Sequence, residues 1–220
     1  MLIYVILICK NNGKTFLEKL MLEIKILKTP QTFAANSYLI SSAGEYAIID
    51  PTAPYDKEIC SGQVKYILLT HAHFDHILEV DSWVSSTGAQ VIISENGVEA
   101  LRDPIRNCFK LFFRMDNGYF GKACAIKEDE ILPFGEETIR FISTPGHTSC
   151  SGVFICGNNA FVGDTVFSGG GFGRFDLPTG NYDMLMRSID KIFKLPDEMT
   201  MYPGHGGSTT VKQYKQEFKR

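Results

Sequence analysis

The sequence has no surplus of positive charge, no cysteine framework, no internal repeat and no apolar run of membrane length, and each absence removes a class of function. With 22 Lys and Arg against 25 Asp and Glu, the formal net charge is -3. No strong field gathers polyanions, and nucleic acid is not an expected partner. The six cysteines, Cys9, Cys60, Cys108, Cys124, Cys150 and Cys156, include no CxxC pair and no dense spacing. That is the pattern of buried or tolerated thiols in a reducing compartment, so a cytoplasmic protein is expected. The stretch 1–9 is almost wholly apolar, yet a spanning helix needs about 20 such residues and a signal segment needs a basic leader. No membrane partner is expected. No solenoid period, low-complexity tract or Ser/Gly linker divides the chain.

What is present is a globular composition, 44% hydrophobic and 21% charged over 220 residues, enough for one large or two small cores. A single enzyme domain is expected over 21–220. Residues 1–20 read as an N-terminal extension, because Met21 opens a second plausible start and Leu22, Ile24 and Ile26 alternate against Glu23 and Lys25. Short apolar runs ended by turns predict strands at 22–28, 37–41, 46–50, 66–70, 90–94, 139–143, 152–156, 160–163 and 199–202. Helices are expected at 75–87 and at 183–193, where Leu185, Ile189, Ile192 and Phe193 recur at helical spacing. Pro104 and Gly118 interrupt an aromatic-rich stretch of Phe109, Phe112, Phe113, Tyr119 and Phe120. It reads as a packed loop and helix pair, with a substrate lid or subunit contact as the functional alternative. Strands mixed with helices predict α/β layers, sheet against sheet with helices outside.

The five histidines all fall in turns that follow expected strands. The run 66–70 delivers His71, 141–145 delivers His147, 160–163 delivers Asp164 and 201–203 delivers His205. Strand ends are where a rigid scaffold aims polar groups into one cleft. In His71-Ala72-His73-Phe74-Asp75-His76, extended backbone points His71 and His73 the same way, toward one ion, while Asp75 and His76 lie past the turn and face a second. Imidazoles and carboxylates suit borderline metals such as zinc, and three histidines leave a coordination position for water. His147, framed by Pro145 and Gly146, supplies the third histidine; Asp75, His76 and His205 take the second ion. Asp164 is the natural bridge, since a carboxylate has two oxygens and serves two cations. Two Zn2+ are the expected cofactors, with iron or manganese as alternatives in either site.

The segments Thr70-His71-Ala72-His73-Phe74-Asp75-His76, Thr144-Pro145-Gly146-His147-Thr148, Gly163-Asp164-Thr165 and Tyr202-Pro203-Gly204-His205-Gly206 occur in that order. They resemble the metallo-β-lactamase superfamily, in its hydroxyacylglutathione hydrolase (glyoxalase II) branch, from about Met21 almost to the C-terminus. The resemblance implies an αββα sandwich with metals in a groove where the two sheets meet. It places His71, His73 and His147 on the first zinc, Asp75, His76 and His205 on the second, and Asp164 on both. It also implies a turn at Ile49-Asp50-Pro51 near the site, with Asp50 bonded to a ligand histidine. Arg174 and Asp176, in Phe172-Gly173-Arg174-Phe175-Asp176-Leu177, are expected to brace the Asp164 loop.

Penicillin-hydrolysing members commonly carry cysteine or serine where Asp164 stands or lack the Asp75-His76 pair, and RNA-processing members carry insertions that the interval from Asp164 to His205 does not hold. Members acting on lactoylglutathione carry a further C-terminal helical region with basic groups, which the stretch after His205 does not match. Cys150 reads as a buried thiol.

The expected activity is hydrolysis of a small-molecule thioester, such as a hydroxyacylglutathione, or of a related small ester. Metal-activated water attacks the acyl carbon, the second ion takes the oxyanion charge, and a thiolate leaves readily because thiols have a pKa of about 8.5. Asp75 and Asp164 are the candidate catalytic residues, Asp75 as a secondary proton shuttle. One alternative is a mononuclear-iron persulfide dioxygenase on the same fold, with iron on His71, His147 and Asp164. Such relatives tend to carry an Asp-Tyr pair where this chain has Gly206-Gly207-Ser208-Thr209-Thr210. Another is a non-catalytic module with a structural metal, for which a closed four-ligand set is expected instead. Nothing in the sequence specifies an oligomeric state.

Overall fold

Alternating apolar side chains give a strand two faces to bury, and this chain buries both faces of two sheets. The structure is a computed structural model that describes residues 22–219, so the expected extension over 1–20 lies outside the described residues. In chain order the elements are β1 (Glu23–Leu27), β2 (Ser37–Ser42), β3 (Glu45–Ile49), β4 (Gln63–Leu68), α1 (Val80–Thr87), β5 (Gln90–Ser94), α2 (Glu95–Ala100), α3 (Phe109–Phe113) and β6 (Ala123–Ile126). There follow β7 (Ile131–Phe134), β8 (Glu137–Ser143), β9 (Gly152–Cys156), β10 (Asn159–Gly163), β11 (Val166–Phe167), β12 (Gly171–Phe172), α4 (Tyr182–Ile192), β13 (Thr200–Pro203), β14 (Thr209–Thr210) and α5 (Val211–Glu217). One six-stranded sheet runs β1-β2-β3-β4-β5-β6, the other β14-β13-β10-β9-β8-β7, and β11 and β12 form a small ribbon.

Neighbouring residues on a strand join different cores. Tyr38 and Ile40 of β2, Ala47 and Ile49 of β3, and Phe154 and Phe161 of β9 and β10 meet between the sheets. Leu39 and Ile48 turn the other way, toward Val80 and Trp83 of α1. Val153, Ile155, Ala160 and Val162 pack instead on Leu185, Ile189 and Ile192 of α4 and on Val211 and Tyr214 of α5. The result is the expected αββα sandwich. The starts of α4 and α5 are capped: Asn181 accepts from the Met184 amide at 2.9 Å and Thr210 from the Gln213 amide at 3.1 Å. Among the described residues no helix is long and apolar enough to cross a membrane.

Three expectations are corrected. The helix expected over 75–87 is divided: Phe74–His76 is a single 3-10 turn and α1 begins only at Val80. Tertiary partners explain the break, since the Asp75 carbonyl accepts from the Ala35 amide at 3.0 Å and the Glu79 amide donates to Pro51 at 2.9 Å. Strands β6 and β7 were not expected; β7 holds Pro133 and lies at a sheet edge, where a missing N–H is tolerated. In the aromatic stretch Tyr119 is buried, but Phe112 is 50% exposed, Phe113 43% and Phe120 62%. The stretch forms the expected helix pair and loop, with Phe109 and Tyr119 packed on the core, but Phe112, Phe113 and Phe120 are not packed as its composition suggested.

Candidate metal centre

Strands β4, β8, β10 and β13 end at one side of the sandwich, and the expected ligands emerge there. Beyond β4 the backbone leaves the ladder because the Asp50 carboxylate replaces a neighbouring strand: the Thr70 amide donates to its Oδ1 at 2.8 Å. Asp50 sits just past β3 in the left-handed region at φ 48, a conformation Asp tolerates better than most residues. Its other oxygen accepts from Thr70 Oγ1 at 2.7 Å and from His76 Nδ1 at 2.8 Å.

These bonds decide which ring nitrogen of each histidine is free. Thr70 Oγ1 spends its proton on Asp50 and so accepts from His71 Nδ1, at 3.2 Å. His147 Nδ1 donates to the Arg174 carbonyl at 2.6 Å. The Nε2 atoms of His71 and His147 are left as lone pairs aimed inward, the arrangement that prepares an imidazole for a cation, and His76 turns its Nε2 toward the same cluster. His71 Nε2 and His147 Nε2 lie 3.2 and 3.0 Å from His73 Nδ1. Asp164 joins this group to the next: its Oδ1 is 3.3 Å from His76 Nε2, and its Oδ2 is 3.8 Å from His147 Nε2 and 3.6 Å from His205 Nε2. Asp75 Oδ2 is 3.2 Å from His205 Nε2 and 3.9 Å from His76 Nε2. The structure thus brings every expected ligand into one cluster, resolvable into His71-His73-His147, His71-His76-Asp164 and Asp75-His76-His205 groups.

Burial pushes the His71 imidazole well below its ordinary pKa, and His76, His73 and His147 add to the effect. His73 is pushed down to about 3 by burial and by His147, and burial also lowers His147. These rings are held neutral, the form that ligates. At His76 burial acts in the same direction, but Asp50, Asp164 and Asp75 outweigh it and raise the ring well above its ordinary value. Burial would raise Asp164, yet His76, His147 and His205 hold it far below the carboxylate range.

Three carboxylates around one buried imidazole call for positive charge, and converging lone pairs call for a Lewis acid. Among the described residues, buried His73 Nε2, His76 Nε2 and Asp164 Oδ1 have no hydrogen-bond partner. Buried polar atoms are seldom left so, and a pair of divalent cations on a histidine–carboxylate donor set fits this arrangement.

Two glycines allow the close approach. A Cβ on Gly204 would run into Asp164 Oδ1 and the His76 ring, and one on Gly173 into the Asp164 carbonyl and the His147 ring. Arg174 and Asp176 were expected to brace the Asp164 loop; their side chains instead bind each other at 2.6 and 2.7 Å, and the Arg174 carbonyl orients His147. Asp50 does bond a histidine, as expected, and it reaches a second through Thr70, whose role sequence reading missed. The one available signal was Thr70's place beside His71. Cys150 is buried, its thiol 3.3 Å from Thr148 Oγ1.

The family model of the metallo-beta-lactamase superfamily matches residues 31–205. The chain is 31% identical over 204 residues to a beta-lactamase hydrolase-like protein of Agrobacterium fabrum, covering 83% of this chain and 46% of that one. It is 31% identical over 186 residues to the hydroxyacylglutathione hydrolase GloC of Haemophilus influenzae, covering 77% of this chain and 84% of the relative. The crystal structure of the BLEG-1 B3 metallo-beta-lactamase superposes with a TM-score of 0.78 at 29% identity, over 89% of this chain and 97% of that one. The chain thus spans about half the length of the first relative but most of the other two. A match that runs from Gln31 to the last histidine, on a two-sheet fold whose strand ends gather these side chains, makes the chain a member of the metallo-β-lactamase superfamily.

Proposed function

We propose that residues 21–220 form one catalytic domain, a cytoplasmic dinuclear zinc hydrolase that cleaves a thioester or a related small ester. In this reading His71, His73 and His147 hold one ion, Asp75, His76 and His205 the other, and Asp164 both. The observation that carries it is the inward aim of the His71 and His147 lone pairs, fixed by Thr70 and the Arg174 carbonyl, on either side of a carboxylate whose two oxygens face different histidines. The naming of one relative as a hydroxyacylglutathione hydrolase supports the thioester class.

When bound, such a pair of cations supplies water ionised near neutral pH and positive charge for a developing oxyanion. The chain's part is geometric. Thr70, Asp50 and Arg174 hold the rings so that no reorganisation is needed during reaction. Asp75, kept ionised by His76 and His205 against the effect of burial, is the group placed to hold the proton of the attacking water. Water adds to the acyl carbon, the carbon–sulfur bond breaks, and the leaving group departs as a thiolate with a pKa of about 8.5, needing no strong acid.

The test is Asp164→Ala and His73→Ala, assayed for metal content by elemental analysis and for turnover on a thioester panel with nitrocefin alongside. Both variants are expected to lose metal and turnover together; turnover retained by a metal-depleted variant would refute the mechanism. Nitrocefin cleaved faster than every thioester would make the enzyme a lactamase, and oxygen uptake with glutathione persulfide would make it a dioxygenase.

A further inference from the structure

The cavity beside the candidate centre has a volume of about 380 Å3, within the range of small-molecule pockets. Its floor is polar, made by His73, Asp75, His147, Asp164 and His205, and its walls are apolar, with Phe112, Phe167 and Leu177 among them. Among the described residues lining it, Arg174 is the only Lys or Arg. That guanidinium is already engaged, its Nε and Nη2 donating to the two Asp176 oxygens at 2.7 and 2.6 Å. A glutathione group carries two carboxylates, and the cavity offers no unengaged guanidinium or ammonium to receive them.

The apolar wall continues outward. Phe112 contacts Phe74 at 5.3 Å between ring centroids, Phe74 contacts Phe113 at 5.0 Å, and Phe33 touches both Phe74 and Phe113 at 5.9 and 5.8 Å. Phe33, Phe112 and Phe113 are each more than 40% exposed. Scattered exposed apolar side chains are ordinary, but a contiguous aromatic strip opening into a concave site marks a ligand surface. The strip is also rigidly tied to the centre. The Phe74 amide donates to the Asn107 carbonyl at 2.9 Å, just before α3, and Phe74 lies between His73 and Asp75. Non-glycine Cys108 and Arg114, at φ 67 and 57, bound α3 at its two ends and set its direction.

We propose that Phe112, Phe167 and Leu177 form a specificity surface for an uncharged hydrocarbon acyl chain. The substrates are then thioesters or esters of medium-length aliphatic or aryl acids, not short hydroxy acids carried on a charged thiol. This rests on the hydrolase reading above and narrows its substrate class. Continuity with the cavity selects a substrate chain over a second protein copy as the occupant, because the strip ends among the residues of the centre itself.

The test uses the metal-loaded enzyme and N-acetylcysteamine thioesters from acetyl to octanoyl, so that only chain length changes, with S-lactoylglutathione for comparison. Burying one methylene is worth about 0.8 kcal/mol, so kcat/KM should rise about fourfold per methylene until the cavity is filled. Phe112→Ser and Leu177→Ser should each lower the octanoyl-to-acetyl ratio about fourfold or more, the equivalent of one methylene. Taken within one preparation, the ratio cancels differences in folding or metal loading. As a readout without turnover, calorimetric binding of the uncleavable octanoyl ketone analogue to metal-free protein should weaken in both variants.

A flat or falling chain-length series, S-lactoylglutathione cleaved faster than the octanoyl thioester, or ratios unchanged in both variants would overturn the specificity surface while leaving the hydrolase reading intact. Failure of every thioester and ester to react would overturn the hydrolase reading itself.

Discussion

Asp50→Asn removes one charge and changes almost no volume, yet it should disturb the candidate centre from outside. Asp50 accepts three hydrogen bonds, from the Thr70 amide, Thr70 Oγ1 and His76 Nδ1. An asparagine has one acceptor oxygen and one amide nitrogen that only donates. With the nitrogen toward His76, two donors meet unless the imidazole gives up its Nδ1 proton and keeps one on Nε2, the atom 3.3 Å from Asp164 that would have to be free to ligate. With the nitrogen toward the Thr70 amide, two donors meet there instead. Either orientation loses at least one charge-assisted bond, worth about 1.5–3 kcal/mol.

For a chain of this size that corresponds to a Tm lower by about 3–12 °C in the metal-free protein. A residue orienting a ligand histidine typically controls metal affinity by about 10–100-fold. Thermal unfolding of metal-free protein and competitive zinc titration measure the two effects separately. The expected result is weakened binding of the second equivalent, with turnover recovering at high zinc. Asp50→Asn protein that binds both ions with wild-type affinity would refute the assignment of His76 through its Nε2 atom.

Further outcomes follow from the same geometry. Gly204→Ala drives a methyl group into Asp164 and His76; overpacking of this kind costs about 1–3 kcal/mol, and elemental analysis should show less than the wild-type metal content, with unchanged content counting against the packing argument. Dialysis against a chelator should abolish thioester turnover and lower Tm, since a cation held at about 1,000 times its Kd stabilises by about 4 kcal/mol; zinc should restore both, and activity persisting in chelated protein would contradict the hydrolase reading. Ile189→Ala, on the fully buried face of α4, should cost about 2–5 kcal/mol by denaturant titration while leaving metal stoichiometry unchanged, and a loss of metal there would show the core and the centre to be coupled.

Local pattern carried much of this protein. Short apolar runs ended by turns located strands such as β9 and β10, and the structure divides their neighbouring residues, Val153 from Phe154 and Ala160 from Phe161, between different cores. The candidate ligands were legible because each follows an apolar run, so their nearness to strand ends is a local property. The His71-His73 spacing is local as well.

Only the assembled chain decided the rest. The Asp75 carbonyl and the Glu79 amide found partners at Ala35 and Pro51, and those distant bonds broke the helix expected over 75–87. Composition read the aromatic stretch as packed, but the fold leaves Phe112 and Phe113 exposed, with Phe112 lining a cavity. The tautomers of His71, His76 and His147, and the charge that His76 attracts, depend on Asp50, Thr70, Arg174 and Asp164. Most of these lie far from their histidines along the chain. Side-chain periodicity is set by neighbours in sequence, whereas the direction of a lone pair and the pKa of a buried ring are set by whatever the fold brings within a few ångströms.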